Sequence, residues 1–152
     1  LRQAQPLFVH AMITAPEQIA GAWPGRAQAL LNAGGPVAAA LILRAGGIAH
    51  VETVRALCLD LLKCGVRPYV MIDGAWLRPE ERVPRETCVA LVQGLRGWIS
   101  GLAVPQLVEE SVRGVRAPVI PPYVKQLDQA GVEVENFEGR RLRYTNPPGR
   151  GR

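Results

Sequence analysis

The chain has 152 residues, a mass of 16.5 kDa, 48% hydrophobic and 20% charged residues, and a formal charge of +5. That length holds one ordinary domain with a sizeable core, and the composition excludes a disordered chain and an obvious membrane protein. All 13 acids lie at or before Glu138, while Arg140, Arg141, Arg143, Arg150 and Arg152 follow Gly139, so residues 1–139 sum to zero and a body-wide field for nucleic acid is excluded.

Pro6 to Ile13 reads as a short buried strand. Thr14 is placed to cap a helix over Ala15-Pro16-Glu17-Gln18, with Glu17 in the capping-box position. Gly21 and Pro24 interrupt that helix, which resumes through Ala27 to Leu31 and stops at Gly34-Gly35. Val37 to Leu43 is a continuous apolar run, as expected of a strand covered on both faces. From His50 to Cys64, residues Val51, Val54, Leu57, Cys58, Leu61 and Leu62 form one helical stripe, ended by Gly65. Arg67 to Asp73 is a further strand. Pro84 opens a second amphipathic helix that carries Val89, Leu91, Val92, Leu95 and Ile99. Val104 to Val108 closes the series. This β-α-β-α-β-α-β order specifies a parallel α/β architecture. Three βα units do not close a barrel, so a strand edge stays unpaired on at least one side.

The C-terminal end differs. Val132 to Asn136 and Arg141 to Tyr144 alternate in polarity around Phe137-Glu138-Gly139, a hairpin loop with Gly139 at the position that wants φ > 0. The predicted register pairs Glu135 with Arg141, Val134 with Leu142, Glu133 with Arg143, and Val132 with Tyr144. Asn146 to Arg152 reads as a disordered basic tail.

Cys58, Cys64 and Cys88 are too few for a disulfide scaffold, and Cys58 and Cys64 point about 240° apart around a helix. They read as small buried thiols. No H-E-x-x-H or C-x-x-C spacing occurs, so no metal ligands are assigned to this chain. No apolar run approaches a membrane span, and a cytoplasmic location is the expectation.

Leu95-Arg96-Gly97-Trp98-Ile99-Ser100-Gly101-Leu102-Ala103-Val104-Pro105 resembles the L-R-G-x-x-S-G-x-x-V-P stretch of the lysine 2,3-aminomutase family. The likeness continues in order through Pro6-Leu7, Pro16, Ala33-Gly34 with Pro36, Leu43-Arg44 and Val66-Arg67-Pro68-Tyr69. Beyond the stretch it runs through Pro121, Tyr123-Val124, Asn136-Phe137-Glu138-Gly139 and Tyr144. The resemblance implies the C-terminal half of a radical S-adenosylmethionine partial (β/α) barrel over residues 1–121. A C-terminal strand and β-hairpin then fill 122–145, with the tail at 146–152. It also implies an amino-group migration between adjacent carbons of an amino acid, served by a 4Fe-4S cluster, S-adenosylmethionine and pyridoxal phosphate (PLP). The family's C-x-x-x-C-x-x-C cluster motif is absent here, so the cluster belongs to a missing N-terminal barrel half or a partner chain.

Carried over residue by residue, the family's PLP lysine falls in Glu110 to Pro118. That segment keeps Gly114 but offers Arg113 and Arg116 and no lysine. Arginine stays protonated and does not replace an amine in a Schiff base. No catalytic residue is therefore intact, and this chain alone is expected to be inactive. One substrate aspartate matches Glu110. The other falls on Ala75, with Asp73 two residues earlier on the same strand face. Arg44, Arg67 and Arg96 match family positions as candidate cofactor contacts. His10 reads as a core histidine, Glu109 and Glu110 as a solvated edge pair, and Asp73 alternatively as a cap or turn acid.

Three readings follow: part of a diverged aminomutase-family enzyme; a non-catalytic half-barrel binding or partner subunit that has lost the PLP lysine; and, weakest, nucleic-acid binding through the basic C-terminal end, which the hairpin's use of two of its arginines counts against. The sequence leaves the substrate and any homo-oligomer open.

Overall fold

The computed structural model describes residues 9–119, 123–135 and 139–146. Four parallel strands lie in the order β1 (Val9–Ile13), β2 (Val37–Ile42), β3 (Arg67–Gly74) and β4 (Gln106–Glu110), and a short antiparallel β5 (Arg116–Pro118) pairs with β4. Helices α1 (Trp23–Asn32), α2 (Val51–Lys63) and α3 (Arg85–Leu95) make the crossovers. A second, three-stranded antiparallel sheet holds β6 (Val124–Asp128), β7 (Gly131–Glu135) and β8 (Arg141–Thr145). The protein is therefore mixed α/β, with a parallel sheet and an antiparallel hairpin sheet.

Side-chain alternation sorts the large sheet into two faces. Ala39, Leu41, Leu43, Met71 and Leu107 meet Val54, Leu57, Cys58 and Leu61 of α2 and Cys88, Leu91 and Leu95 of α3. Each fully buried aliphatic side chain of this layer contributes about 1.5–3 kcal/mol. Ala40, Ile42, Val70, Ile72 and Val108 form a separate cluster on the opposite face, packed against Leu77. No helix among the described residues is long and apolar enough to cross a membrane.

α2 starts at His50 as N-cap and ends at Cys64, followed by Gly65 with φ +74°, as expected from the stripe. β2 is buried at every position. The hairpin register is the predicted one at all four pairs, and Gly139 has φ +77°.

Several expectations change. β1 is half-buried rather than buried: Ile13 alone is enclosed, while His10 and Met12 are exposed, so His10 is not a core histidine. Its ring lies 5.8 Å from that of Tyr69, the extra residue at a register shift in β3. The Ala15 segment is a 3-10 turn, Pro16–Ile19. Gln18 rather than Glu17 closes it, its Oε1 accepting the Ala15 N–H at 2.9 Å and the Thr14 hydroxyl at 3.0 Å. α3 stops at Leu95, and Ile99 joins the core from the turn beyond. The Arg143 side chain, opposite Glu133 in register, reaches Asp128 at 3.5 Å instead. Asn146 is held: its N–H donates to the Ala130 carbonyl at 2.8 Å and its Nδ2 to the Gln129 carbonyl at 3.0 Å. The readings placed on Pro6 to Phe8, Pro121, Asn136 to Glu138 and residues 147–152 lie outside the described residues.

Candidate functional site at the C-terminal strand ends

Ligands of parallel α/β folds bind beyond the carboxyl ends of the strands, where loops converge on a rigid sheet. Here that rim receives Thr14, Arg44, Asp73, Gly74, Glu109 and Glu110. The three candidate cofactor arginines do not come together. Arg44 follows β2 at this rim, whereas Arg67 opens β3 at the other end of the sheet and Arg96 caps the C-terminal end of α3, before β4 begins. Arg67 and Arg96 are exposed.

Arg44 pairs with Glu81, which also accepts from Arg78 at 2.9 Å. The Arg78 hydrogen bond, helped by the Arg44 charge, holds the Glu81 carboxyl at about 2, well below its ordinary 4.5. A depressed carboxylate stabilises the fold above its unfolded pKa, and that contribution is lost as pH falls from about 4.5 towards about 2. The expected result is a Glu81 side-chain carbonyl carbon that titrates below pH 3 by NMR, and in Glu81→Gln a weaker fall of stability across that interval. Titration of Glu81 near 4.5 would contradict the pairing.

Asp73 and Glu109 are fully buried on the helix-covered face, and both contact the buried guanidinium of Arg85. Arg82 approaches Asp73 at 3.9 Å, and the Cys88 thiol lies 3.7 Å from the same carboxylate. Asp73 is thus neither a cap nor a turn acid, and it is closed to a ligand on the opposite face. Glu109 is not a solvated edge residue. Arg85 is the residue that sequence reasoning missed. It links the two acids to the hairpin sheet: its guanidinium lies 5.8 Å from the Tyr144 ring centre, its N–H donates to Asn146 Oδ1 at 3.3 Å, and the Tyr144 hydroxyl donates to the Glu109 carbonyl at 3.5 Å.

Glu110 faces the other way. It sits in register with Gly74 and Arg116, and its carboxylate pairs with Arg116. The following turn is built by Ser111, whose Oγ accepts the Arg113 N–H at 3.3 Å and the Val115 N–H at 3.1 Å, with Gly114 at φ +74°. Arg113 is exposed on it.

Comparison with known proteins decides the family. No protein-family profile matches the chain. It is 29% identical over 150 residues to L-lysine 2,3-aminomutase of Fusobacterium nucleatum, covering 97% of this chain and 35% of that protein. It is 34% identical over 121 residues to L-lysine 2,3-aminomutase of Bacillus subtilis, covering 78% of this chain and 26% of that protein. The chain belongs to the lysine 2,3-aminomutase family. Glutamate 2,3-aminomutase of Clostridioides difficile is a more distant relative, 22% identical over 151 residues. The chain spans about a third of the length of the curated relatives it matches.

The cofactors of this family were tested against the side chains present. PLP anchored as a Schiff base needs a lysine amine. Lys63, at the end of α2, pairs with Asp60 at 2.7 Å, which raises its pKa and keeps it protonated. Lys125 lies in β6, 3.7 Å from Glu135. Both amines are paired with carboxylates and neither belongs to the Glu110 to Pro118 segment, so these residues do not fit the cofactor. A cluster needs thiolates. Burial pushes the Cys58 thiol up to about 12 and raises Cys88 as well, so both stay protonated. Among the described residues no group of three or more His, Cys, Asp or Glu is arranged to hold a metal ion.

Proposed function

We propose that this chain is part of a diverged lysine 2,3-aminomutase-like protein whose parent reaction moves an amino group between adjacent carbons of a small amino acid. The observation that carries this reading is the match along 97% of the chain to relatives bearing that activity in their names. In this reading the described parallel sheet is the C-terminal half of a partial barrel. The cluster-bearing half comes from elsewhere in the same polypeptide or from a partner chain, in a cytoplasmic setting. That half would hold the cluster and S-adenosylmethionine, which would supply the family's radical chemistry. This chain's contribution is to present the C-terminal rim, with Glu110 and Arg116 on the inner face and Arg44 beside Glu81.

The test is to purify the whole protein, with any chain encoded beside it, under anaerobic conditions. Bound iron and sulfide, and release of 5′-deoxyadenosine from S-adenosylmethionine, are expected. A reading frame and neighbourhood without any C-x-x-x-C-x-x-C segment would sink the proposal.

One observation favours a second reading, a non-catalytic binding or partner subunit: no lysine lies between Glu110 and Pro118, and the two lysines of the chain are paired elsewhere. Titration with pyridoxal phosphate followed by borohydride is expected to leave no lysine-specific adduct. A stoichiometric adduct lost in Lys125→Ala or Lys63→Ala would overturn this. Recovery of the chain as a soluble monomer, with no partner, would count against the subunit reading.

A further inference from the structure

The strand ends on the face away from α2 and α3 form one row across the sheet: Gly74 of β3, Glu110 of β4 and Arg116 of β5 are neighbours in register and share a face. The row is filled unevenly. The Trp76 indole lies directly over Gly74, so close that a Cβ on Gly74 would stand 2.5 Å from its Cε2 and 2.6 Å from its Nε1. The absence of a side chain at position 74 is what lets the ring lie there. Trp76 is nevertheless 43% exposed, an aromatic surface over the residue that stands in register with Glu110, which pairs with Arg116. Behind it, Leu77 packs on Ile42, Ile72 and Val108. The Ala75 N–H donates to the Glu110 carbonyl at 2.7 Å and fixes the loop on β4.

The charges of this rim are already matched. Glu110 is paired with Arg116, and Glu81 with Arg44 and Arg78. Asp73 and Glu109 are sealed against Arg85 on the far face. An ammonium entering the rim would have to displace a guanidinium from a carboxylate, and an anion would have to displace a carboxylate from a guanidinium. Arg113, exposed on the turn beyond Ser111, is a single solvated charge outside the row. What the row offers is an aromatic face beside a neutralised ion pair.

The geometry points to a specificity site: Trp76, with Glu110 neutralised by Arg116, selects an amino acid whose side chain ends in an uncharged, apolar group and discriminates against cationic and anionic ends. This rests on the amino-acid reading above and names the substrate class within it. Trp76 supplies the contact area, because apolar surface covered by an indole leaves water at no electrostatic cost. Arg116 supplies the discrimination, because it occupies the carboxylate that would otherwise draw an ammonium.

The experiment measures binding of L-leucine, L-phenylalanine, L-lysine and L-glutamate to the full chain by saturation-transfer NMR and calorimetric titration. Leucine and phenylalanine are expected to bind at least tenfold more tightly than lysine or glutamate. Trp76→Ala should lose that preference. Arg116→Gln frees the Glu110 carboxylate and should raise lysine affinity about tenfold, and Arg116→Lys, which keeps the pair, should not. The double variant Glu110→Gln with Arg116→Gln should return lysine to the wild-type level, separating a charge effect from a folding defect. The proposal is overturned if lysine or glutamate binds the wild type as tightly as leucine, if none of the four binds, or if Arg116→Gln leaves lysine affinity unchanged. Failure of the aminomutase reading shows separately, as missing iron and missing 5′-deoxyadenosine.

Discussion

Replacing Arg85 with methionine is expected to cost the fold about 3–5 kcal/mol, read as a lowered midpoint in urea. The side chain is buried, and among the described residues it is the one cation that contacts both buried carboxylates, Asp73 and Glu109. Taking it away leaves both acids in a low-dielectric layer, with Arg82 as the nearest remaining cation, 3.9 Å from Asp73. The same substitution removes the contact with the Tyr144 ring, so the hairpin sheet should loosen with it. The triple variant Asp73→Leu, Arg85→Met, Glu109→Leu is expected to recover most of the loss, because it removes the desolvated charges as a set. A single substitution costing less than about 1 kcal/mol would mean that the acids reach water in the folded protein.

Alanine at Gly131 is the second large effect, about 2–3 kcal/mol from backbone strain before any steric term. Gly131 has φ +151°, a conformation that side-chain-bearing residues rarely adopt. A Cβ there would press on the Tyr144 carbonyl and stand 2.9 Å from Thr145 Cα. Gly131 and Thr145 are the last pair of the β7–β8 ladder, next to Asn146, which caps α3. The strain should therefore spread from the hairpin to the start of α3. Faster amide exchange in β7, β8 and the first turn of α3 is the expected observation. Exchange confined to β7 and β8 would show that the hairpin sheet and α3 are not coupled through Asn146.

What the sequence made legible follows from local periodicity. The α2 stripe, the apolar run of β2 and the hairpin register each rest on residues close in the chain, and in the hairpin alternation and charge agree at every pair. β5 was not legible: three residues ending in proline carry no period, and proline suits only an edge. β1 was misread because Val9-His10-Ala11-Met12-Ile13 is apolar enough for a core strand, and nothing local says that the face carrying His10 and Met12 stays exposed. Asp73 and Glu109 were read one at a time as exposed or functional acids. Their real partner was visible but unused: Arg85 lies three residues before Cys88, six before Leu91 and ten before Leu95, on the buried stripe of α3. A charge on an apolar stripe, facing acids on apolar strands, signals a buried ion network. The split of the candidate arginines was also available, since Arg67 opens its strand and Arg44 follows its own. The likeness to a family gave positions in order along the chain, but not which side of the sheet each side chain takes.

The half-exposed β1 has a practical consequence. Among the described residues it pairs with β2 alone, and Met12 is 46% exposed. A strand in that position shows a row of backbone donors and acceptors to any extended segment nearby, its own copies included. At high concentration the chain should therefore self-associate edge to edge, and a charged residue at Met12 should raise its solubility. The same substitution would test what the edge is for: if it improves handling yet blocks assembly with a second polypeptide, the stickiness is the trace of a joint and not a defect.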